Sequence, residues 1–67
     1  MRYLKYATQE IRAGEALLYV EIAGDSTETK PTAGIVDGSQ FLETDTGDIY
    51  VFNEKTTAWV EMFSLKG

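Results

Sequence analysis

Apolar residues in the second half of the chain come in three short runs, at about residues 39–44, 48–53 and 58–63. These runs are rich in aromatic and β-branched residues, and polar segments separate them, which is typical of strands joined by tight turns. The segment Asp45-Thr46-Gly47 lies between two runs, and Gly47 can adopt a positive φ at low cost. The pattern predicts a three-stranded antiparallel unit with turns at 44–47 and 54–57.

Turns of four residues fix a register for these strands, because side chains alternate between the two faces of a sheet. The predicted cross-strand pairs are Leu42–Ile49, Ile49–Met62, Val51–Val60, Phe41–Tyr50 and Phe52–Trp59. One face is then aliphatic and carries Leu42, Ile49, Val51, Val60 and Met62. The other is aromatic and carries Phe41, Tyr50, Phe52, Trp59 and Phe63. The central run is apolar on both sides, so we expect both faces to be covered.

The first half of the chain predicts an N-terminal hairpin over residues 2–22, with strands at 2–8 and 16–22. The segment 9–15 has the composition of a connection, and a helix over 9–18 is the alternative, although Gly14 would interrupt it. Residues 24–32 are polar and predict an exposed loop or hinge before a C-terminal β-meander at 33–64. The fold prediction is therefore one all-β domain over 1–67, either a small antiparallel sheet or a barrel-like meander.

The N-terminal strands supply enough apolar side chains to cover one face of the predicted sheet. The second face is covered if the hairpin closes a small barrel, and otherwise it is an interface with another protein. In the second case the interface residues are Phe41, Tyr50, Phe52, Trp59 and Phe63. A 67-residue domain is marginally stable alone, and this chain has no cysteine for disulfides and no histidine or cysteine for zinc. We therefore expect a homo-oligomer or an efficient core.

The charge of the chain bears on its partners. Eleven acidic residues against six basic ones give a net charge of −5, dispersed along the sequence. A negative surface repels nucleic acid and anionic membranes, so neither is an expected partner. The N-terminus has no apolar run long enough for a secretory signal, and the longest such run, 16–20, is too short to span a membrane. We expect synthesis in a cytosol.

Candidate chemistry is sparse. Asp45-Thr46-Gly47 matches the triplet of aspartic proteases, but a single copy would need a homodimer, and the flanking Glu43 and Asp48 depart from that family. Carboxylates at 43, 45 and 48 do not have calcium-loop spacing. Trp59 can be a stacking platform for a sugar or base, or a core or interface anchor. Without histidine and cysteine the common nucleophilic triads are absent, and we predict no catalytic, cofactor or metal residue and no enzymatic activity.

One block of the sequence resembles a pattern in small structural proteins of tailed bacteriophages and prophages. It consists of Gly38-Ser-Gln-Phe-Leu-Glu-Thr-Asp-Thr-Gly-Asp-Ile-Tyr-Val-Phe52 and then Ala58-Trp-Val-Glu61. The family pattern runs Gly-Ser-x-apolar-x-Glu-x-Asp-Thr-Gly-Lys-Val-Tyr-x-aromatic-Asp, a short turn, then x-Trp-apolar. Its usual lead-in resembles Lys30-Pro-Thr32 followed by Gly34-Ile-Val-Asp-Gly38. The resemblance covers roughly residues 30–62, and the departures are Asp48 for Lys and Asn53 for Asp.

The resemblance implies a component of a virion, such as a head-fibre base, a capsid decoration module or a fibre attachment module. Such components often assemble as trimers and dock on a capsid or another virion protein. The expected location is the virion, after synthesis in the cytoplasm of the bacterial host. A module that binds glycans or the host surface is the alternative, and a dimeric aspartic protease using Asp45 is a more distant one.

Overall fold

A computed structural model describes residues 1–64 of the chain and confirms the predicted all-β fold. The strands are β1 (Arg2–Arg12), β2 (Glu15–Gly24), β3 (Gln40–Glu43), β4 (Asp48–Asn53) and β5 (Ala58–Ser64). They form one five-stranded sheet in the order β1-β2-β3-β4-β5. The N-terminal hairpin thus joins the same sheet as the C-terminal meander.

The sheet is mixed, so the prediction of a purely antiparallel sheet is wrong at one pair. β2 and β3 run parallel, with Ile22 beside Phe41, while the other neighbouring pairs are antiparallel. Parallel neighbours need a long crossover, and residues 25–39 provide it between the end of β2 and the start of β3. Within residues 1–64, β1 and β5 are the two edges of the sheet and do not pair with each other. The barrel-like alternative is therefore wrong as well.

The N-terminal hairpin is longer than its sequence predicted. β1 continues through residues 9–12, so the predicted connection at 9–15 and the alternative helix over 9–18 are both wrong. The chain reverses at Ala13 and Gly14, which both have positive φ, 53° and 83°. Two adjacent positive φ values are typical of the tight turns whose twist matches that of a hairpin. Register shifts at Leu4 and Gln9 adjust the pairing of β1 with β2.

The C-terminal meander follows the predicted register closely. Its turns occupy residues 44–47 and 54–57, and Gly47 has a φ of 80°. The confirmed pairs are Leu42–Ile49, Phe41–Tyr50, Val51–Val60 and Phe52–Trp59. Ile49 pairs with Phe63 and not with Met62, because a bulge in β5 leaves Met62 as the extra residue. The bulge places Phe63 in register with the aliphatic side chain of Ile49.

The core lies on the aromatic face of the sheet. Its buried members are Val20, Ile22, Ile35, Phe41 and Phe52, and Leu18, Tyr50 and Trp59 pack against them. The crossover 25–39 covers this face, whereas the N-terminal strands, which we expected to cover one face of the sheet, lie beside the meander in the same sheet.

The crossover is attached to β2 by its backbone. The amide of Leu18 donates to the carbonyl of Gly34 at 2.9 Å, and the amide of Val36 donates to the carbonyl of Leu18 at 2.9 Å. Between these bonds Ile35 is buried in the core. The predicted exposed loop at 24–32 is only partly exposed, because Lys30 and Pro31 are half-buried. Residues 25–39 therefore form a cover, and we use that name for them below.

Candidate docking surface

The aliphatic face of the sheet is uncovered over the residues that the structure describes. We call it the open aliphatic face, and it consists of Leu42, Ile49, Val51, Val60, Met62 and Phe63. The side chains on β3 and β4 are half-buried, while Val60, Met62 and Phe63 are 42%, 55% and 62% exposed. Of the two ways in which this face could be covered, closure of a barrel by the hairpin is therefore wrong, and an interface with another protein stays a prediction. The face is uncovered because the one long connection lies on the aromatic side and both hairpins lie in the plane of the sheet.

The open aliphatic face is uncharged across β3, β4 and β5. The remaining position of β3 on this side is Gln40, which pairs with Val51. The carboxylates of the same three strands belong to the opposite side: Glu43 lies on the same side as Phe41 two residues earlier, Asp48 lies on the same side as Tyr50, and Glu61 pairs with Tyr50. The three carboxylates of β3, β4 and β5 thus lie on the side of the sheet opposite this apolar surface.

Among residues 1–64, charged groups lie only at the margins of the open aliphatic face. On β2, Glu21 lies beside Gln40, and Lys5 of β1 is its cross-strand partner. The Tyr19 hydroxyl donates to Glu21 at 2.9 Å, and this hydrogen bond to a carboxylate raises the pKa of Tyr19. At the opposite margin Asp37 borders a shallow groove with Val51, Val60 and Met62, and its carboxylate accepts the Glu54 amide at 2.7 Å. The surface is an apolar patch with a polar rim, which is the usual anatomy of a docking site.

The aromatic residues that we predicted at an interface are mostly in the core. Phe41 is fully buried and Phe52 is 3% exposed, so neither has surface to offer a partner in this fold. Trp59 is half-buried, its indole N–H donates to the carbonyl of Pro31 at 2.8 Å, and its ring packs 5.2 Å from Phe52. Tyr50 is half-buried, and Phe63 lies on the open aliphatic face. Trp59 is therefore not placed as an open stacking platform for a sugar or base.

The cover is attached to the sheet by a lysine that sequence reasoning missed. The Lys30 ammonium lies 2.6 Å from a Glu43 carboxylate oxygen, with side chains only 16% and 4% exposed. The ammonium also lies 4.7 Å from the Phe41 ring centroid and 4.5 Å from that of Tyr50, within the range of cation–π attraction. The Thr46 hydroxyl donates to the other oxygen of Glu43 at 2.8 Å, so each oxygen of the buried carboxylate has a hydrogen-bond partner. A lone lysine in a polar stretch gave no sequence signal for this partner.

A second attachment of the cover uses the turn between β3 and β4, where Asp45, Thr46 and Gly47 lie. The Asp45 carboxylate accepts the Ser26 hydroxyl at 2.6 Å and the Ser26 amide at 2.9 Å. The hydroxyl hydrogen bond is the main reason that the pKa of Asp45 lies below its usual range. A protease dyad instead needs two carboxyls that share a proton. Held ionised within its own chain, Asp45 gives the protease alternative no support.

No group of three or more His, Cys, Asp or Glu side chains in residues 1–64 is arranged to hold a metal ion. No helix in this part of the chain has the length and apolar character needed to cross a membrane. Comparison with protein families, curated proteins and solved structures finds no match to this chain.

Proposed function

We propose that this chain is a non-enzymatic structural protein of a bacteriophage or prophage virion, a head-fibre base or capsid decoration module. It acts by packing its open aliphatic face against a neighbouring chain of the particle, either a further copy or another virion protein. The observation that carries the proposal is the exposure of Val60, Met62 and Phe63 on one uncharged sheet face. Contiguous apolar surface of this kind usually marks an interaction site on a soluble protein.

The resemblance of residues 30–62 to small virion proteins supports the same proposal, and it suggests that the assembly is a virion. The residues that carry this resemblance form β3, β4, most of β5 and the turn between β3 and β4, which are the elements that build the open aliphatic face. The proposed partners are a capsid or other virion protein and further copies of the chain, for which the resemblance suggests a trimer. The proposed location is the virion.

A particle-association experiment tests this proposal. The chain, carrying an epitope tag, is expressed in cells that produce the phage or prophage particles, and the particles are purified by density gradient. We expect the chain to band with the particles in a fixed ratio to the capsid protein. A chain that stays in the soluble fractions, and particles that lack it by mass spectrometry, would overturn the proposal.

A matched pair of variants tests whether the chain binds to the particles through its open aliphatic face. Met62→Lys places a charge on the open aliphatic face, and Thr56→Lys places the same charge in the exposed turn after β4. We expect Met62→Lys to be lost from the particles and Thr56→Lys to be retained. Circular dichroism checks that both variants are folded, and equal retention of both would argue against docking through this face.

A further inference from the structure

We infer that the partner of the open aliphatic face is a second copy of this chain, stacked face to face about a two-fold axis. The inference rests on the proposed function only in taking this face to be a docking surface. It goes further by naming the occupant and by giving the contact two-fold symmetry, in place of the trimer that the resemblance suggests.

The charge distribution selects this face for self-association. Eleven acidic and six basic residues make most approaches between identical copies repulsive. The open aliphatic face is different, because its residues on β3, β4 and β5 are uncharged. The side chains of Glu43, Asp48 and Glu61 lie on the other side of the sheet. In a two-fold contact each patch meets an identical patch, and an uncharged patch is complementary to itself. Two copies can therefore bury these apolar side chains without burying Glu43, Asp48 or Glu61, and Asp37 lies at the margin of the contact.

The shape of the surface also suits a copy of itself. Two sheet faces pack about 10 Å apart with interdigitating apolar side chains. The cover of each chain packs on the aromatic side through Ile35, and only its residues Asp37 and Gly38 border the open aliphatic face, at one margin. The resulting dimer has four layers: cover, sheet, sheet and cover. The charged residues Glu21 and Lys5, which lie on β2 and β1, extend beside the apolar contact.

The size of the surface sets the strength of the contact. Six apolar side chains on three short strands form a patch smaller than the roughly 800 Å² that each partner buries in a standard interface. We therefore expect a reversible dimer that dissociates on dilution. Sedimentation equilibrium should give twice the monomer mass at high concentration and the monomer mass at low concentration.

The absence of cysteine from the sequence allows a clean cross-linking test on the full chain. Val60→Cys puts a thiol on the open aliphatic face, and Glu61→Cys puts one on the next residue of the same strand, pointing to the other side. Both positions are exposed. With a bis-maleimide spanning about 10 Å, the separation of packed sheets, we expect several-fold more cross-linked dimer from Val60→Cys than from Glu61→Cys. A third variant, Met62→Lys, should sediment as a folded monomer.

Several results would overturn the second-copy inference. One is a parent chain that remains monomeric up to ~1 mM, with no cross-linking of Val60→Cys. Others are a trimer mass, a dimer unaffected by Met62→Lys, or stronger cross-linking of Glu61→Cys. The particle experiment distinguishes this failure from failure of the proposed function. If the parent chain is a monomer in solution but binds to the particles, and the Met62→Lys variant does not bind, the open aliphatic face is a docking surface for another protein.

Discussion

Both faces of the sheet carry apolar side chains, but only one of the two faces is buried. The aromatic face lies under the cover, with Phe41 and Phe52 buried, whereas the aliphatic face keeps Met62 and Phe63 more than half exposed. The side chains of the covered face make polar and cation–π contacts with the cover in addition to burying apolar area. The Trp59 indole has an N–H to donate, and the rings of Phe41 and Tyr50 attract the Lys30 ammonium.

A polar connection can cover an apolar face if that face offers partners for its polar groups. The cover carries only a few buried apolar side chains, chiefly Ile35 and Val36. Its carbonyl and ammonium groups find partners on aromatic rings and on one buried carboxylate, which an aliphatic surface could not provide. The apolar side chains of the aliphatic face offer no hydrogen-bonding group to such a segment and remain available for another apolar surface.

The largest expected effect comes from breaking the covered face. Phe41→Ala should lower the free energy of unfolding by about 3–5 kcal/mol, because it removes a fully buried ring and leaves a cavity. Phe63→Ala, on the open aliphatic face, should change monomer stability by about 0.5 kcal/mol or less. Urea denaturation at low protein concentration measures both. Similar losses for the two variants would mean that the faces are not as different as their burial indicates.

The next effect comes from detaching the cover. Lys30→Ala leaves the Glu43 carboxylate buried without its cation, and breaking a buried pair in this way costs about 3 kcal/mol. Lys55→Ala, in the exposed turn after β4, is the control with the same change of charge. Chemical denaturation gives the stability, and Trp59 fluorescence in the native state reports release of the Pro31 carbonyl. Equal stability of the two variants would contradict a fastening role for Lys30.

A smaller, pH-dependent effect is expected at the second attachment of the cover. The pKa of Asp45 is lowered by the Ser26 hydroxyl, so its stabilising contribution is present above its ordinary pKa of about 3.8 and is lost as pH falls through its folded value. Asp45→Asn should therefore melt below the parent at neutral pH, and the difference should shrink on acidification.

A double-mutant cycle assigns that effect. Ser26→Ala and Asp45→Asn should each lower the melting temperature, and the double variant should lose less than the sum of the two, because they remove one interaction. Additive losses, or a difference that grows at acidic pH, would contradict the attachment.

The smallest effect concerns the carboxylates that alternation keeps off the open aliphatic face. The charge of Asp48 is the main cause that raises the pKa of Glu61 above its ordinary value of 4.5. A raised carboxyl pKa means that ionised Glu61 destabilises the fold above its folded pKa, and that this cost disappears as pH falls below the ordinary value. Glu61→Gln should melt slightly above the parent at pH 7 and match it in acid. No gain at neutral pH would show that the two carboxylates do not interact.

Sequence reasoning was most successful where structure depends on neighbours along the chain. The meander followed from period-two alternation and from turn residues such as Gly47, and four cross-strand pairs were correct. It failed where one extra residue enters a strand, since nothing in the composition of β5 marks Met62 as a bulge. Its error at residues 9–12 has a similar cause, because Ala13 adopts a positive φ that sequence alone would not assign to it.

The fate of the two faces could not be predicted because it depends on contacts distant in sequence. Alternation separated aliphatic from aromatic side chains, but which set would be covered depends on where the crossover passes. That path is fixed by Lys30 with Glu43 and by the Pro31 carbonyl with Trp59, which join residues far apart in the chain. The aromatic set was therefore assigned to an interface when most of it forms the core.

The parallel pairing of β2 with β3 has a consequence for the order of folding. The N-terminal hairpin and the C-terminal meander can each form from local contacts, but β3 can reach β2 only after residues 25–39 have crossed back over the sheet. Closing such a connection costs chain entropy before any contact rewards it, and non-local pairing of this kind slows folding. We expect the joining of the two pieces to be the late step. Trp59 fluorescence in a stopped-flow experiment should report it, because the indole finds its acceptor only when the crossover is in place.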